Sequence, residues 1–164
     1  MDIFDEEILL FWKALQEKNV KYIMIGGFAT NMHGYQRYTG DMDIWIEDTT
    51  ENRESLRMVF KKYGIDDFPM LATLEFVPGR TNFNLNNGLK LDVMVGVKGL
   101  EQYTFDERLQ MATIGDIDEI LVRFLHINHL IDSKKAANRP KDQIDVIYLE
   151  KTKQLLKEEG GQNT

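Results

Sequence analysis

Residues 25–47 read Ile-Gly-Gly-Phe-Ala-Thr-Asn-Met-His-Gly-Tyr-Gln-Arg-Tyr-Thr-Gly-Asp-Met-Asp-Ile-Trp-Ile-Glu, and this stretch decides the fold. An apolar run ends at a glycine pair, a polar connection follows, and a second apolar run carries two aspartates on alternate residues. Alternate residues of a β-strand point to the same side of the sheet. We therefore expect Asp41, Asp43 and Trp45 to share one face of a strand over 41–46, with the two aspartates about 7 Å apart at the backbone.

The paired aspartates are candidate metal ligands. Carboxylate oxygens are the natural ligands of hard cations such as Mg²⁺, and two such groups can hold one ion or bridge two ions about 3.5–4 Å apart. A half-buried strand with acids on its solvent face would give the same alternation. The choice between these interpretations depends on the residues around the pair.

Three features favour a site that binds a metal and an anion together. Gly26 and Gly27 end a strand and open a helix, where backbone N–H groups and the helix dipole attract anions. Asp92 interrupts an otherwise apolar strand over 89–95, and an unpaired buried carboxylate is costly without a compensating cation or proton. Arg37 can contact a phosphate or pair with these acids. Phosphate donors beside cation ligands describe a site for a metal-bound nucleotide.

The composition is that of an ordinary globular domain. The chain has 164 residues, of which 43% are hydrophobic and 29% charged, enough for a core without disulfides or structural metals. It has no cysteine, which excludes disulfides, thiolate zinc sites and cysteine nucleophiles. The formal net charge of −7 argues against broad, non-specific binding to nucleic acid, because that affinity comes from Lys and Arg neutralising phosphates.

The sequence carries no membrane or export signal. No apolar run reaches the roughly 20 residues that a membrane-spanning helix needs. The acidic first residues lack the basic region of a signal peptide. We therefore predict a cytoplasmic protein with no membrane partner.

Hydrophobic periodicity predicts a mixture of helices and strands. Helical spacing of apolar residues predicts helices over 2–18, over 28–33 and from Thr49 or Thr50 to Gly64. Short apolar runs predict strands over 22–25 and 41–46, and a hairpin that pairs 81–85 with 89–95 around Asn86-Asn87-Gly88. Two segments, 65–80 and 104–114, fit either short strands or helical turns.

The elements predict an α/β or α+β fold, in which helices flank a small mixed β-sheet. From Ile117 the chain is predicted to be mainly helical, with Pro140 in the first turn of the last helix, and this segment closes the site. We expect one domain over 1–164, made of an N-terminal helix (1–19), a sheet core (20–115), a C-terminal helical segment (116–157) and a flexible tail (158–164).

A basic cluster lies in the C-terminal segment. Residues 133–141 contain no acid and include Lys134, Lys135, Arg139 and Lys141. Basic residues near a helix C-terminus suit the helix dipole, so a solvated face explains the cluster as well as phosphate contacts from Lys134 or Lys135 and Arg139 do. We interpret the following Asp142 and Asp145 as partners that orient these cations rather than as metal ligands.

Two separated motifs resemble the nucleotidyltransferase superfamily of the polymerase-β type. Its signature is an apolar residue before Gly-Gly or Gly-Ser, about ten residues, then Asp-x-Asp among apolar neighbours and a third carboxylate on a later strand. Those positions here are Ile25-Gly26-Gly27, then Asp41 and Asp43, then Asp92.

The resemblance extends over roughly residues 20–150, and two motifs in the right order are more specific than either alone. Arg37-x-Thr39-x-Asp41-x-Asp43 is similar to the version in small bacterial members and in tRNA-terminal transferases. The segment from Leu130 to Asp145 is similar to the helical part of stand-alone bacterial nucleotidyltransferase-like proteins, including the toxins of AbiE-type systems.

The resemblance implies a role for each residue of these motifs. Catalysis and metal binding would fall to three carboxylates, the last as third ligand or as base for the incoming hydroxyl: Asp41, Asp43 and Asp92. Nucleotide binding would fall to the glycine pair and to polar or basic side chains: Gly26, Gly27, Arg37, Thr39, Lys134, Lys135 and Arg139. The implied cofactor is Mg²⁺, as one or two ions, with an NTP such as ATP as co-substrate.

The implied reaction moves an NMP group from the NTP to a hydroxyl of an acceptor. The sequence leaves a small molecule, a tRNA end and a protein side chain open as acceptors, although an acidic protein suits a cationic, antibiotic-like one. The alternative is a catalytically weak or inactive nucleotide-binding or interaction module, such as a toxin–antitoxin component. A homodimer or an operon-encoded partner protein is compatible with either function.

Overall fold

The computed structural model describes residues 5–63, 67–73, 76, 79–85 and 88–162. Within these ranges a six-stranded mixed sheet has the strand order β3-β4-β2-β1-β6-β5. Its strands are β1 (Tyr22–Ile25), β2 (Met42–Ile46), β3 (Thr81–Asn84), β4 (Lys90–Met94), β5 (Thr113–Ile117) and β6 (Ile120–Phe124). The helices are α1 (Glu6–Glu17), α2 (Gly26–Met32), α3 (Thr50–Tyr63), α4 (Phe105–Met111), α5 (Ile127–Ala137) and α6 (Pro140–Gln162).

The pairing of the central strands positions the acidic residues. Strand β2 pairs antiparallel with β1 and parallel with β4. In the β2–β4 register Asp43 lies opposite Asp92, so two carboxylates that are far apart in the chain meet on adjacent strands. The predicted mixed sheet with flanking helices is confirmed.

Helix α1 supplies much of the core. Asp5 caps it by accepting a hydrogen bond from the Glu7 backbone N–H at 3.0 Å. The predicted apolar face is buried, and the Trp12 ring stacks on Tyr22 of β1 with 5.7 Å between ring centroids. Burying a large apolar side chain contributes roughly 1.5–3 kcal/mol, so this face fixes α1 against the sheet.

The predicted helix α3 and the β3–β4 hairpin are present. The Thr49 hydroxyl caps α3 by accepting a hydrogen bond from the Asn52 backbone N–H at 3.2 Å. Strands β3 and β4 pair antiparallel with Phe83 opposite Leu91, while 86–87 of the predicted turn lie outside the described residues, as does Gly64. Of the two undecided segments, 69–72 form a single 3-10 turn, and 104–114 hold α4 followed by the start of β5.

From Ile117 the chain is mainly helical, as predicted, because α5 and α6 fill most of it, but the prediction missed strand β6, which precedes α5. Ile120, Val122 and Phe124 are buried while the residues between them are exposed, a period of two that belongs to a strand. The turn before β6 gave no sequence signal for a hairpin. Asp118 and Glu119 adopt left-handed backbone angles (φ 49° and 69°) that glycine usually provides, and neither is a glycine. The sheet therefore extends past residue 115, the predicted end of the sheet core.

Two further boundaries differ from the prediction. Strand β2 begins at Met42, so Asp41 lies just before the strand rather than inside it. Helix α6 continues to Gln162, so the first five residues of the predicted flexible tail, 158–162, are helical, while their flexibility stays a prediction. Glu158 and Glu159 are good helix formers, and no proline follows them to end the helix. No helix in the described ranges is long and apolar enough to cross a membrane.

Candidate active site

A cavity of about 690 Å³ lies where β1 ends and β2 begins. The start of α2, directly after β1, contributes the glycine pair to its wall, and the start of β2 contributes Asp41 and Asp43. The facing wall comes from α5 and the start of α6, with Lys134, Arg139 and Lys141. Acidic and basic side chains that are far apart in sequence thus line one cavity.

Neither position of the glycine pair has room for a side chain. Gly26 has φ +67°, and a Cβ there would lie 2.4 Å from the Asp43 Oδ2 atom. A Cβ on Gly27 would lie 2.4 Å from the Thr39 Oγ1 atom and 2.7 Å from its Cβ. The missing side chains let the start of α2 approach both residues, so the pair determines where Asp43 and Thr39 sit.

We expect Gly27→Ala to lower the free energy of unfolding by about 1–3 kcal/mol, the usual cost of overpacking a filled site. The Thr39 hydroxyl can rotate away from the new methyl group, but the Thr39 Cβ cannot. Urea unfolding measures the effect. Gly160→Ala is the matched control: it lies in α6, where an added methyl group would meet open space, and should keep or raise stability. Equal stability of Gly27→Ala and the wild type would contradict the packing argument.

Asp43 and Asp92 form a coupled pair of carboxyl groups. Burial raises the pKa of Asp43 to about 7, and the neighbouring negative charge of Asp92 acts in the same direction. Asp92 is 1% exposed and accepts hydrogen bonds from Arg80, at 3.3 Å, and from Asn82. Asp41 and Asp43 line the cavity, whereas Asp92 lies buried beside Asp43.

The three acids do not form a complete cation site in this arrangement. Within the ranges described above, no group of three or more His, Cys, Asp or Glu side chains converges as metal ligands would. The oxygen donors nevertheless suit a hard cation such as Mg²⁺. A cation would also remove the cost of holding Asp43 and Asp92 next to each other in a poorly solvated place, so the donor chemistry fits a metal here.

A buried ion-pair network supports the basic wall. Asp145 is fully buried and accepts hydrogen bonds from Arg37 Nε at 2.7 Å, Arg37 Nη2 at 2.8 Å and Lys134 Nζ at 2.7 Å. Burial lowers the pKa of Lys134, and its hydrogen bond to Asp145 acts in the opposite direction. Asp142 pairs with Arg139, at 2.6 Å from its Nε. Asp142 and Asp145 thus contact the cations they were expected to orient.

The structure separates the two neighbouring lysines. Lys134 is buried and lines the cavity. Lys135 is exposed on another side of α5 and pairs with Glu150 of α6 at 3.1 Å. Its predicted contact with nucleotide is therefore not supported, because successive residues of a helix point about 100° apart. Gly26, Gly27, Arg37, Thr39 and Arg139 all line the cavity.

Several polar residues at the site were not predicted from the sequence. Arg80 and Asn82 contact Asp92, and the exposed Tyr38 and Lys98 line the cavity. The predicted hairpin contained a signal for Asn82, because its register places that residue opposite Asp92. Tyr38 and Lys98 lie in connections, where hydrophobic periodicity carries no information.

Known structures share this fold. The lincosamide antibiotic adenylyltransferase LnuA, in a lincomycin-bound crystal structure, aligns with a TM-score of 0.58 at 14% identity over 89% of this chain and 96% of that one. ANT(2″)-Ia in complex with adenylyl-2″-tobramycin aligns with a TM-score of 0.56 at 19% identity over 94% and 95%. An antigenic nucleotidyltransferase-like protein from Paracoccidioides brasiliensis gives 0.51 at 19% identity over 86% and 72%.

The sequence comparisons give the family directly. No curated protein matches the chain. A family model described as "Nucleotidyltransferase of unknown function (DUF6036)" matches residues 2–156. This match spans nearly the whole chain and agrees with the glycine pair, the Asp-x-Asp motif and the shared fold. The chain therefore belongs to this nucleotidyltransferase family and is a transferase.

Proposed function

We propose that the protein transfers an NMP group from an NTP to a hydroxyl of an acceptor, in a Mg²⁺-dependent reaction. The main support is the position of Asp43. Its carboxyl group is held against the glycine pair at one wall of the cavity, beside Asp92, and basic residues line the facing wall. This arrangement offers cation ligands and phosphate donors to the same bound molecule.

Asp41 and Asp43 are the proposed Mg²⁺ ligands, and Asp92 is the proposed third carboxylate. Mg²⁺ held there would neutralise the negative charge that grows on the phosphate oxygens during transfer. Asp92 accepts hydrogen bonds from Asn82 of β3 and from Arg80, which lies just before β3. These hydrogen bonds must break or lengthen before Asp92 can ligate an ion. As an alternative role, Asp92 is the base that takes the proton of the acceptor hydroxyl.

The proposed phosphate contacts come from both walls. Gly26 and Gly27 leave the start of α2 without side chains, so backbone N–H groups are accessible to a triphosphate. Arg139, with a side chain 44% exposed, is the best placed cation of α5 and α6. Arg37 and Lys134 share the buried Asp145, so we propose that they set the charge and shape of the site while Thr39 packs against the glycine pair.

The transfer needs no covalent intermediate on the protein. The acceptor oxygen bonds to the α-phosphorus, the bond from phosphorus to the bridging oxygen breaks, and pyrophosphate leaves with the electron pair. The hydroxyl proton passes to a carboxylate of the site. The protein contributes in-line positioning and charge neutralisation, which dominate catalysis of such transfers.

Thermal unfolding with each NTP plus Mg²⁺ tests the proposal. A ligand that binds only the native state stabilises it by about 2.7 kcal/mol at a hundredfold excess over Kd. We expect a rise in Tm with at least one NTP, lost in EDTA and in Asp41→Asn. Asp48→Asn is a suitable control, because Asp48 pairs with Arg53 at the start of α3 and does not line the cavity. No shift with any NTP would contradict the proposed function.

A further inference from the structure

A second cavity adjoins the first. It has a volume of about 640 Å³ and shares Gly79, Gly96, Val97 and Lys98 with the larger cavity. The two spaces therefore meet along the chain that follows β4, next to the wall that carries Asp43. A molecule in the second cavity would be a neighbour of a nucleotide in the first.

Aromatic rings form much of the second cavity's wall. Trp45, Tyr103 and Phe105 all line it. The rings of Trp45 and Phe105 pack edge to face, with 5.6 Å between their centroids and an angle of 84° between their planes. Trp45 is 3% exposed, and its Nε1 atom has no hydrogen-bond partner in the described part of the chain. Because that Nε1 atom is buried, the wall offers mainly apolar ring surface.

The Tyr103 ring is fixed by a buried arginine. The Arg108 guanidinium lies 3.6 Å from the ring centroid, and Arg108 is 6% exposed. Arg108 also contacts the His129 ring nitrogen Nε2, and it forms no ion pair with any acid in the ranges that the structure covers. A buried arginine whose contacts are a tyrosine ring and a histidine serves to hold that ring. This contact positions the Tyr103 ring in the cavity wall.

The volume and the lining residues of the second cavity are those of a binding site for a small molecule. Its volume lies within the range of about 300–1,000 Å³ that is usual for sites of small ligands. Among the lining residues that the structure describes, Glu101 is the one carboxylate, and Lys98 lies at the boundary with the larger cavity. Flat aromatic walls suit a ring or another apolar face. The net charge of −7 disfavours an RNA acceptor, because RNA binding relies on phosphate neutralisation.

We propose that the second cavity is the acceptor site, and that the acceptor is a small hydroxylated molecule with an apolar ring face. This inference rests on the proposed function, since it places the acceptor beside the NTP. The hydroxyl reaches the first cavity across Gly96, where the acceptor oxygen bonds to the α-phosphorus and pyrophosphate leaves.

Gly96 offers a variant that separates the two cavities. A Cβ added there meets no atom within 4 Å, and Gly96 is not among the glycines with positive φ. Gly96→Phe should therefore fill the passage without straining the backbone. Gly96→Ala is the matched control, because it makes the same backbone change without a bulky group. Tyr103→Leu is a second variant, which removes ring surface and leaves the passage open.

Phenyl β-D-glucoside and methyl β-D-glucoside are suitable probes, because they share hydroxyls and differ in the apolar ring. Trp45 reports binding by its fluorescence, since the chain has two tryptophans and the other, Trp12, is fully buried in the core. With NTP and Mg²⁺ present, we expect a saturable change with phenyl glucoside, about fivefold weaker binding of methyl glucoside, and no change in Trp45→Phe. Transfer of label from α-³²P-NTP to phenyl glucoside should be lost in Gly96→Phe and kept in Gly96→Ala, while Tyr103→Leu should lose the preference for the phenyl compound in the binding measurement.

Each variant is also tested for the rise in Tm with NTP and Mg²⁺. If that rise is absent in the wild type, the proposed function fails. If it is present but the two glucosides bind equally, or neither binds, the acceptor inference alone is overturned. Transfer of label from α-³²P-NTP to total tRNA and to neither glucoside would also overturn it. Unchanged transfer of label to phenyl glucoside in Gly96→Phe would also overturn the inference, because the acceptor would then not reach the nucleotide across Gly96.

Discussion

Replacing Asp145 by Asn is expected to lower the free energy of unfolding by about 3–5 kcal/mol, the usual cost of breaking a buried ion pair. Asp145 is fully buried and accepts three hydrogen bonds from Arg37 and Lys134. The amide would carry no charge, so Arg37 would lose the acid it pairs with and the buried Lys134 would keep only the longer pair with Asp142, at 3.8 Å. Urea unfolding at pH 7 measures the loss, and NTP-induced stabilisation should weaken in the same variant.

Glu150→Gln is the matched control for Asp145→Asn. It removes the same charge from α6 and breaks the pair with Lys135, but both side chains are about half exposed. Exposed pairs contribute about 0–1 kcal/mol, so this change should be nearly silent. If both variants lower the free energy of unfolding by a similar small amount, the ion pairs of Asp145 with Arg37 and Lys134 do not stabilise the fold as argued.

Replacing Asp43 by Asn should reduce nucleotidyl transfer on the order of 10³-fold, because it removes a ligand of the cation that neutralises the transferring phosphate. The measurement is transfer of label from α-³²P-NTP, with NTP and Mg²⁺ binding followed by Tm. Asp116→Asn, which alters an acid near the end of β5, is the control and should retain activity. Full activity in Asp43→Asn would contradict the assignment of this residue.

The same substitution should change how stability depends on pH in EDTA. The pKa of Asp43 is raised in the folded protein to about 7 from its ordinary value of 3.8. Between these values the folded state holds a proton that the unfolded chain has released, so the free energy of unfolding falls as pH rises from about 4 to 7. We expect Asp43→Asn to remove part of this decline, on the order of 2 kcal/mol, and a decline of wild-type size in the variant would contradict the assignment.

The order of elements was largely predictable, because most of the sheet follows period-two patterns. Strand β2 and the hairpin of β3 and β4 stood out by alternation and by a turn signal. Strand β6 was missed because its turn, Asp118-Glu119, carries no glycine although both residues have positive φ. The turn is held instead by the Asp116 side chain, which accepts a hydrogen bond from the Glu119 backbone N–H at 2.8 Å. Such a side-chain contact depends on the folded turn and has no simple sequence pattern.

The site was predictable where local geometry determines it. The spacing of the aspartates and the glycine pair led to Asp41, Asp43 and Gly26, which all line the cavity. The sequence did not separate Lys134 from Lys135, because only the packing of α5 decides which one faces inwards. The partners of Asp92 depend on the pairing of β3 with β4, and the second cavity depends on side chains from separate elements and connections.

The contacts of Arg37 with Asp145 also constrain when the protein can become active during its synthesis. Tyr35 stacks on Tyr148 with 4.0 Å between centroids, so two residues of the β1–β2 connection depend on partners more than 100 positions later in the chain. A ribosome-bound chain that has not yet released α6 has the glycine pair and all three acids but lacks this support. Closing such a long loop comes late in folding, because its entropy cost precedes any gain from the contact. Nucleotide binding should therefore begin only after the last helix has left the ribosome.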